Sequence, residues 1–266
     1  MTGQNVGDDR RTYTDAAILC ALLLREAYHL PLRSTQGLVS SVLRLMKVGL
    51  PSPHYSTLCR RARNLELSLT APRKIRHLVI DSTGLKLYGE GEWKVRLDGA
   101  DKRRTWRKLH IAMDAERWQV TSTLITDKDE LDRHVLTPLL KETEAEIKYV
   151  CADGAYDFEH CYRAIKDCEA IPLIPPRSDA VVRGRSPLEQ RDMNVREIRK
   201  LGKKQWKQAS GYHRRSLVEC AFFRLKTIFS EKLKARLIET QKIEAEVKCM
   251  ALNRMAKLGM PLSYVI

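Results

Sequence analysis

The chain has 266 residues, with 48 Lys and Arg against 33 Asp and Glu, a formal net charge of +15 and 43% hydrophobic residues. That length can bury a sizeable core in one large domain beside a smaller one, and the apolar content excludes a disordered basic tail. The positive excess recurs in RKIR, DKRRTWRK, REIRKLGKKQWK and HRR, which points to a polyanionic partner such as a nucleic acid, since solubility alone asks for less charge.

Residues 1–12, MTGQNVGDDRRT, are polar, show no periodic apolar pattern and read as a flexible terminus. Thr14 or Asp15 caps a predicted helix running to about His29. It contains AAILCALLL, the longest apolar run and far too short to span a bilayer. LPLR breaks that helix, and STQGLVSSVLRLMK starts a second one near Ser34. After the KVGLPSP turn a third short helix carries HYSTLCRRARN. Over 13–66 this order is similar to a helix-turn-helix part, with Arg60, Arg61 and Arg63 clustered on the last helix. The alternative is a small bundle that only supports the main domain.

ELSLTAPRKIR reads as a linker around Pro72, and a second domain, 74–266, begins near Lys74. Strands are predicted in HLVIDSTGLKLYG, WRKLHIAMDAE and WQVTSTLITD, followed by a helix in DRHVLTPLLKETEAE and a strand in IKYVCAD. A helix in YDFEHCYRAIKDCEA and a strand in IPLIPP follow, then an irregular basic stretch over about 177–211 and a long C-terminal helical region. Such alternation predicts an α/β domain, a mixed sheet with helices on its faces. A basic connection of that length is expected to be functional or mobile.

Three acids stand out within this order. Asp81 and Asp153 end apolar, β-branched runs, and carboxyl ends of neighbouring strands face one crevice in an open α/β sheet. Glu219 lies on a predicted helix. Hard oxygen donors of this kind suit Mg²⁺, and two such ions can stabilise the attacking and leaving oxygens of a displacement at phosphorus. Without a cation, three converging carboxylates would raise one another's pKa. At about 100° per residue, Tyr212, Arg215, Glu219 and Lys226 share one helical face beside an apolar stripe of Val218, Phe222, Leu225 and Phe229. Cations beside a catalytic carboxylate suit a phosphodiester substrate.

The Y-x2-R-x3-E-x6-K spacing from Tyr212 to Lys226 resembles the signature around the catalytic glutamate of bacterial DDE transposases. Together with IDSTGLK around Asp81, WRKLH at Trp106 to His110, ADGAYD around Asp153 and the closing ALNRM, it is similar to the insertion-sequence family numbered five. The resemblance covers nearly the whole chain from about Tyr13. It implies a ribonuclease-H-like catalytic domain with a five-stranded mixed sheet, cutting DNA at the ends of a mobile element and joining them to target DNA with Mg²⁺ or Mn²⁺. It further implies Asp81, Asp153 and Glu219 as metal ligands, with Tyr212, Arg215 and Lys226 on terminal phosphates. His54, Ser56, Thr57, Arg60 and Arg61 would contact the element's terminal inverted repeats, and two ends held together imply a synaptic homodimer. Family members commonly carry further residues ahead of the position where this chain starts.

Plainer readings stand beside these. Glu219 and Arg215 could form an ordinary i, i+4 ion pair, and Asp157, the rival of Asp153, suits an acidic side chain at the positive N-terminal end of a helix. His110 is either structural or a phosphate neighbour; Trp206, in KKQWK, either stacks on an unpaired base or anchors its loop to the core. Asp114 and Asp127 suit turns. The seven cysteines form no zinc-like spacing, their odd number without a signal peptide suits a reducing, cytoplasmic setting, and several lie in apolar runs that suit burial as small apolar groups. The rival functions are a nuclease on the same fold that cuts without joining, and a DNA-binding regulator that has lost catalysis.

Overall fold

The computed structural model describes residues 13–87 and 106–259. The terminus 1–12, the end of the first predicted strand beyond Leu87 and most of the DKRRTWRK cluster lie outside them. The contacts divide the chain into Met1–Glu66 and Leu67–Ile266.

The first unit contains α1 (Asp15–Ala27), α2 (Leu32–Leu45) and α3 (Tyr55–Arg61). Thr14 caps α1, its hydroxyl accepting from the Ala17 N–H at 3.2 Å, which satisfies one of the unpaired donors of the first turn. Pro31 precedes α2, whose first turn therefore starts slightly earlier than the predicted Ser34. Residues 46–54 join α2 to α3, a longer connection than the three or four residues of a helix-turn-helix turn. The Gln36 amide oxygen accepts from the Tyr55 N–H at 3.0 Å and fixes the start of α3.

The second unit is a mixed sheet with flanking helices, of the ribonuclease-H-like type. Its strands are β1 (Lys74–Leu87), β2 (Trp106–Asp114), β3 (Gln119–Asp127), β4 (Glu146–Cys151) and β5 (Ile171–Leu173), ordered β3-β2-β1-β4-β5. β1, β2 and β3 pair antiparallel, whereas β4 and β5 run parallel to β1. A sixth short strand, β6 (Lys232–Leu233), pairs parallel with the far end of β1, one more than the five expected. The helices are α4 (Asp132–Thr143), α5 (Glu159–Asp167), α6 (Glu189–Leu201), α7 (Lys203–Ala209), α8 (Leu217–Phe229) and α9 (Ile238–Leu258).

Period-two alternation sorts β1 between two buried faces. Leu78, Ile80 and Ala112 pack with Leu136 and Leu139 of α4 and Tyr162 and Ile165 of α5 in one apolar cluster. Val79, Ile111 and Met113, equally buried, point the other way. α9 packs on β3, where the Asn253 amide grips both the Val120 N–H and its carbonyl at 2.7 Å. The same alternation sends Asp81 and Ser82 to opposite faces. The Ser82 hydroxyl donates to Asp132 Oδ1 at 3.1 Å, at the start of α4, which leaves Asp81 for the face that receives α8.

The basic stretch expected to be irregular contains α6 and α7. The buried positions of α6 include Arg191, Asp192 and Asn194, so no apolar period advertises it. Trp118 has φ +57°, in the left-handed region; it belongs to the turn, and β3 begins one residue later than predicted. Of the cysteines, Cys151, Cys161 and Cys249 are buried, Cys168 is half-buried, and Cys20, Cys59 and Cys220 are exposed.

Candidate active site

Asp81 sits in the middle of β1 and is half-buried, its Oδ1 accepting from the Ser82 N–H at 2.9 Å. Asp153 follows β4 and caps the short 3-10 turn 154–156, accepting from the Ala155 N–H at 2.8 Å. Parallel pairing of β1 with β4 sets Val79 opposite Cys151, so Asp81 and Asp153 each lie two residues beyond the same pair. Glu219 is in the first turn of α8 and exposed.

Arg215 links these remote segments. Its Nη2 donates to Asp81 Oδ2 at 2.8 Å and its Nη1 to Glu219 Oε1 at 2.9 Å. The i, i+4 pair between Arg215 and Glu219 therefore forms, and it forms as half of a bridge. Tyr212 and Arg215 do not share an α-helix with Glu219: residues 212–216 are a 3-10 turn and α8 starts at Leu217. The geometry that brings Arg215 onto Asp81 belongs to that tighter turn.

Burial pushes the Asp81 carboxyl above its ordinary pKa, Arg215 pulls it back, and Asp153 and Glu219 add to the upward push. Burial also raises the Tyr212 hydroxyl to about 12, with Asp153 and Asp81 among the contributing charges. Asp81, Asp153 and Glu219 therefore act on one electrostatic region. Among the described residues, however, no three His, Cys, Asp or Glu side chains gather closely enough to hold a metal in this arrangement. The donor types nonetheless suit a hard divalent ion: all are carboxylate oxygens, Asp81 and Glu219 already meet on one guanidinium, and Asp81 is partly desolvated. The Arg215 Nε, buried beside Asp81, has no hydrogen-bond partner.

The other predicted residues separate into groups. Lys226 is half-buried on α8, two helical turns or about 10 Å beyond Glu219. Trp206 is fully buried and packs against the buried Tyr212 ring, with centroids 5.4 Å apart, so it anchors α7 and offers no face to a base. Tyr212 likewise presents little surface to DNA. In the first unit, the His54 Nδ1 lies 2.7 Å from the Ser56 hydroxyl, and the two residues serve the start of α3. Arg61 is held by the Tyr13 carbonyl at 2.9 Å and by Asp15, whereas Arg60 stays exposed and Thr57 half-buried.

His110 is fully buried with Nε2 2.8 Å from the Thr126 hydroxyl, which makes it structural. Asp114 accepts from the Glu116 and Arg117 N–H groups in its turn, as expected. Asp157 is not a solvated charge at a helix start; it is buried and paired through both oxygens with Arg191. Sequence reasoning missed Arg191, because an arginine in a basic stretch carries no mark of burial. It also missed the network of Lys108 and Ser82 on Asp132, at 3.2 and 3.1 Å.

A family model described as a transposase DDE domain matches residues 72–254, and a second with the same description matches residues 3–90. No helix among the described residues is long and apolar enough to cross a membrane.

Proposed function

The chain belongs to the DDE transposase family, and on that premise we propose that it binds the ends of an insertion element, cleaves DNA there and joins the freed ends to target DNA. The observation that carries this reading is the convergence of Asp81 and Glu219 on one guanidinium, with Asp153 acting on the same group. Asp81, Asp153 and Glu219 would hold Mg²⁺ or Mn²⁺, two ions in the full site. Bound there, such ions supply the charge that activates a hydroxyl and stabilises the leaving oxygen at phosphorus.

The residues of the chain divide the remaining work. Arg215 compensates Asp81 and Glu219 until the divalent charge arrives, then turns its fork toward a phosphate, for which its planar donors are suited. Lys226 lies further along α8, where it meets the same strand a few nucleotides away. Tyr212 stays beneath them and, with Trp206, holds the 3-10 turn in place. The Met1–Glu66 unit supplies end recognition through Arg60 and neighbouring polar groups of α3, and two chains hold two ends in a synaptic dimer.

The test is a strand-transfer assay with labelled, pre-cut duplexes carrying the DNA that flanks the coding region. Joined products that require Mg²⁺, vanish in Asp81→Asn and arise from complexes holding two labelled ends are the expected result. Cleavage without joining would leave a nuclease, and binding without either would leave a regulator.

A further inference from the structure

Phe158 is half-buried just ahead of α5, and two guanidiniums rest against its ring, Arg133 Cζ and Arg177 Cζ each 4.4 Å from the centroid. Neither forms an ion pair among the described residues. An exposed phenyl ring attracts a cation by only about 0.5–1 kcal/mol, so the ring alone does not account for two like charges beside it. The backbone puts them there. The Arg177 N–H donates to Asp157 Oδ2 at 2.9 Å, and the Arg133 carbonyl accepts from His160 Nε2 at 3.1 Å.

The loop that follows is held as firmly. Asp192 accepts from the Arg183 N–H at 3.0 Å and the Gly184 N–H at 2.7 Å; Arg191 Nη1 donates to the Val181 carbonyl at 3.0 Å and Arg199 Nη2 to the Ala180 carbonyl at 3.1 Å. Asp157 and Asp192 are both buried, and their charge goes to these N–H groups and to Arg191. They leave the exposed Arg177 and Arg183 side chains uncompensated. Glu159 is taken by Arg163 and Arg185, which leaves Asp179 as the acid without a described ion pair among the residues lining a depression of about 400 Å³ with Arg177 and Arg183; Arg133 joins them through the Phe158 ring.

This patch lies on the face of the sheet opposite Asp81 and is tied to the carboxylates through chain neighbours. Asp132, next to Arg133, accepts from Ser82, the neighbour of Asp81, and Phe158 follows the turn capped by Asp153. We infer that Arg133, Phe158, Arg177 and Arg183 form a second DNA-binding surface, which grips the phosphodiester backbone of duplex leaving the cleavage site. The inference rests on the function proposed above. Preorganised arginines that meet phosphates read no bases, so this grip is independent of sequence and serves flanking or target DNA.

The experiment measures fluorescence anisotropy of a labelled 30-base-pair duplex of arbitrary sequence, about that length being enough to engage several phosphates, with the full chain in EDTA at several KCl concentrations. Arg133→Gln/Arg177→Gln is expected to bind about tenfold more weakly and to lower the slope of log affinity against log salt by about 2, roughly 0.9 for each phosphate no longer neutralised. The charge-matched control Lys141→Gln/Lys257→Gln, at exposed positions elsewhere, should keep the wild-type slope. Should the double variant fail to fold by circular dichroism, Arg177→Gln alone, at an exposed side chain, gives about half the change in slope. Slopes equal to the control, or no duplex binding by the wild type, overturn the inference. A wild type that binds duplex through these residues yet joins no ends overturns the proposed function and leaves this surface standing.

Discussion

The Arg215 guanidinium spans Asp81 and Glu219, 2.8 Å from one carboxylate and 2.9 Å from the other. It fills the space between these two carboxylates, so on the proposed function it would compete with a divalent ion for Asp81 Oδ2. Arg215→Gln is therefore expected to tighten Mn²⁺ binding to the DNA-free protein by about twofold to tenfold, the equivalent of roughly 0.4–1.4 kcal/mol for a partly exposed pair. Calorimetric titration measures this. DNA joining should fall in the same variant, because the phosphate fork is gone. Unchanged or weaker Mn²⁺ binding would remove the competition.

The three antiparallel strands, the place of Asp81 on β1 and that of Asp153 just past β4 are legible in the sequence because alternation and β-branched runs mark a half-buried or fully buried strand. The helices α6 and α7 are not, for their docking uses Arg191, Asp192 and Asn194, whose burial depends on partners distant in sequence. Tyr212 and Glu219 share a face on an ideal α-helical wheel, but residues 212–216 wind as a 3-10 turn, and the wheel fails there. Trp206 among lysines fits a base-stacking ring and a loop anchor equally well in the sequence; its full burial against the ring of Tyr212 decides for the anchor.

Burial depresses the pKa of His110 from 6.5 to about 4, opposed by Asp132 and Glu130 and assisted by Lys108. A folded-state value below the unfolded one means that the unfolded chain takes up a proton first as pH falls. The stability from neutral His110 is complete above about pH 6.5 and lost between there and about pH 4, at most about 3 kcal/mol. His110→Gln can keep a hydrogen bond to Thr126 and has nothing to titrate. Its melting temperature should therefore decline less than that of the wild type from pH 7 to 4.5; parallel declines would show that His110 does not contribute.

Glu246 behaves in the opposite sense. Burial and the neighbouring Glu142 raise its carboxyl from 4.5 to about 7, against the pull of Lys242. Its contribution is complete below the ordinary carboxylate range and lost as pH rises through 7, where a half-buried carboxylate must ionise beside another. Glu246→Gln should stabilise the fold by about 1 kcal/mol at pH 8, after allowance for solvent screening, and by little at pH 4.5. Urea denaturation at the two pH values checks the difference, and an equal effect at both would assign the change to packing.

Asp157 joins two parts of the chain that the basic stretch would otherwise leave loose. Its Oδ1 accepts from Arg191 Nε at 2.7 Å and from the Tyr162 hydroxyl at 2.9 Å, while Oδ2 accepts from the Arg177 N–H. Asp157→Ala strands a buried guanidinium and is expected to cost about 3–5 kcal/mol, whereas Asp157→Ala/Arg191→Met removes both charges and should recover part of that loss. Trypsin should cut faster after Arg177, Arg183 and Arg185 in the single variant, since the anchor of that loop is gone. A single-variant cost below about 1 kcal/mol would place the loop's order elsewhere, in Asp192 and its bonds to Arg183 and Gly184.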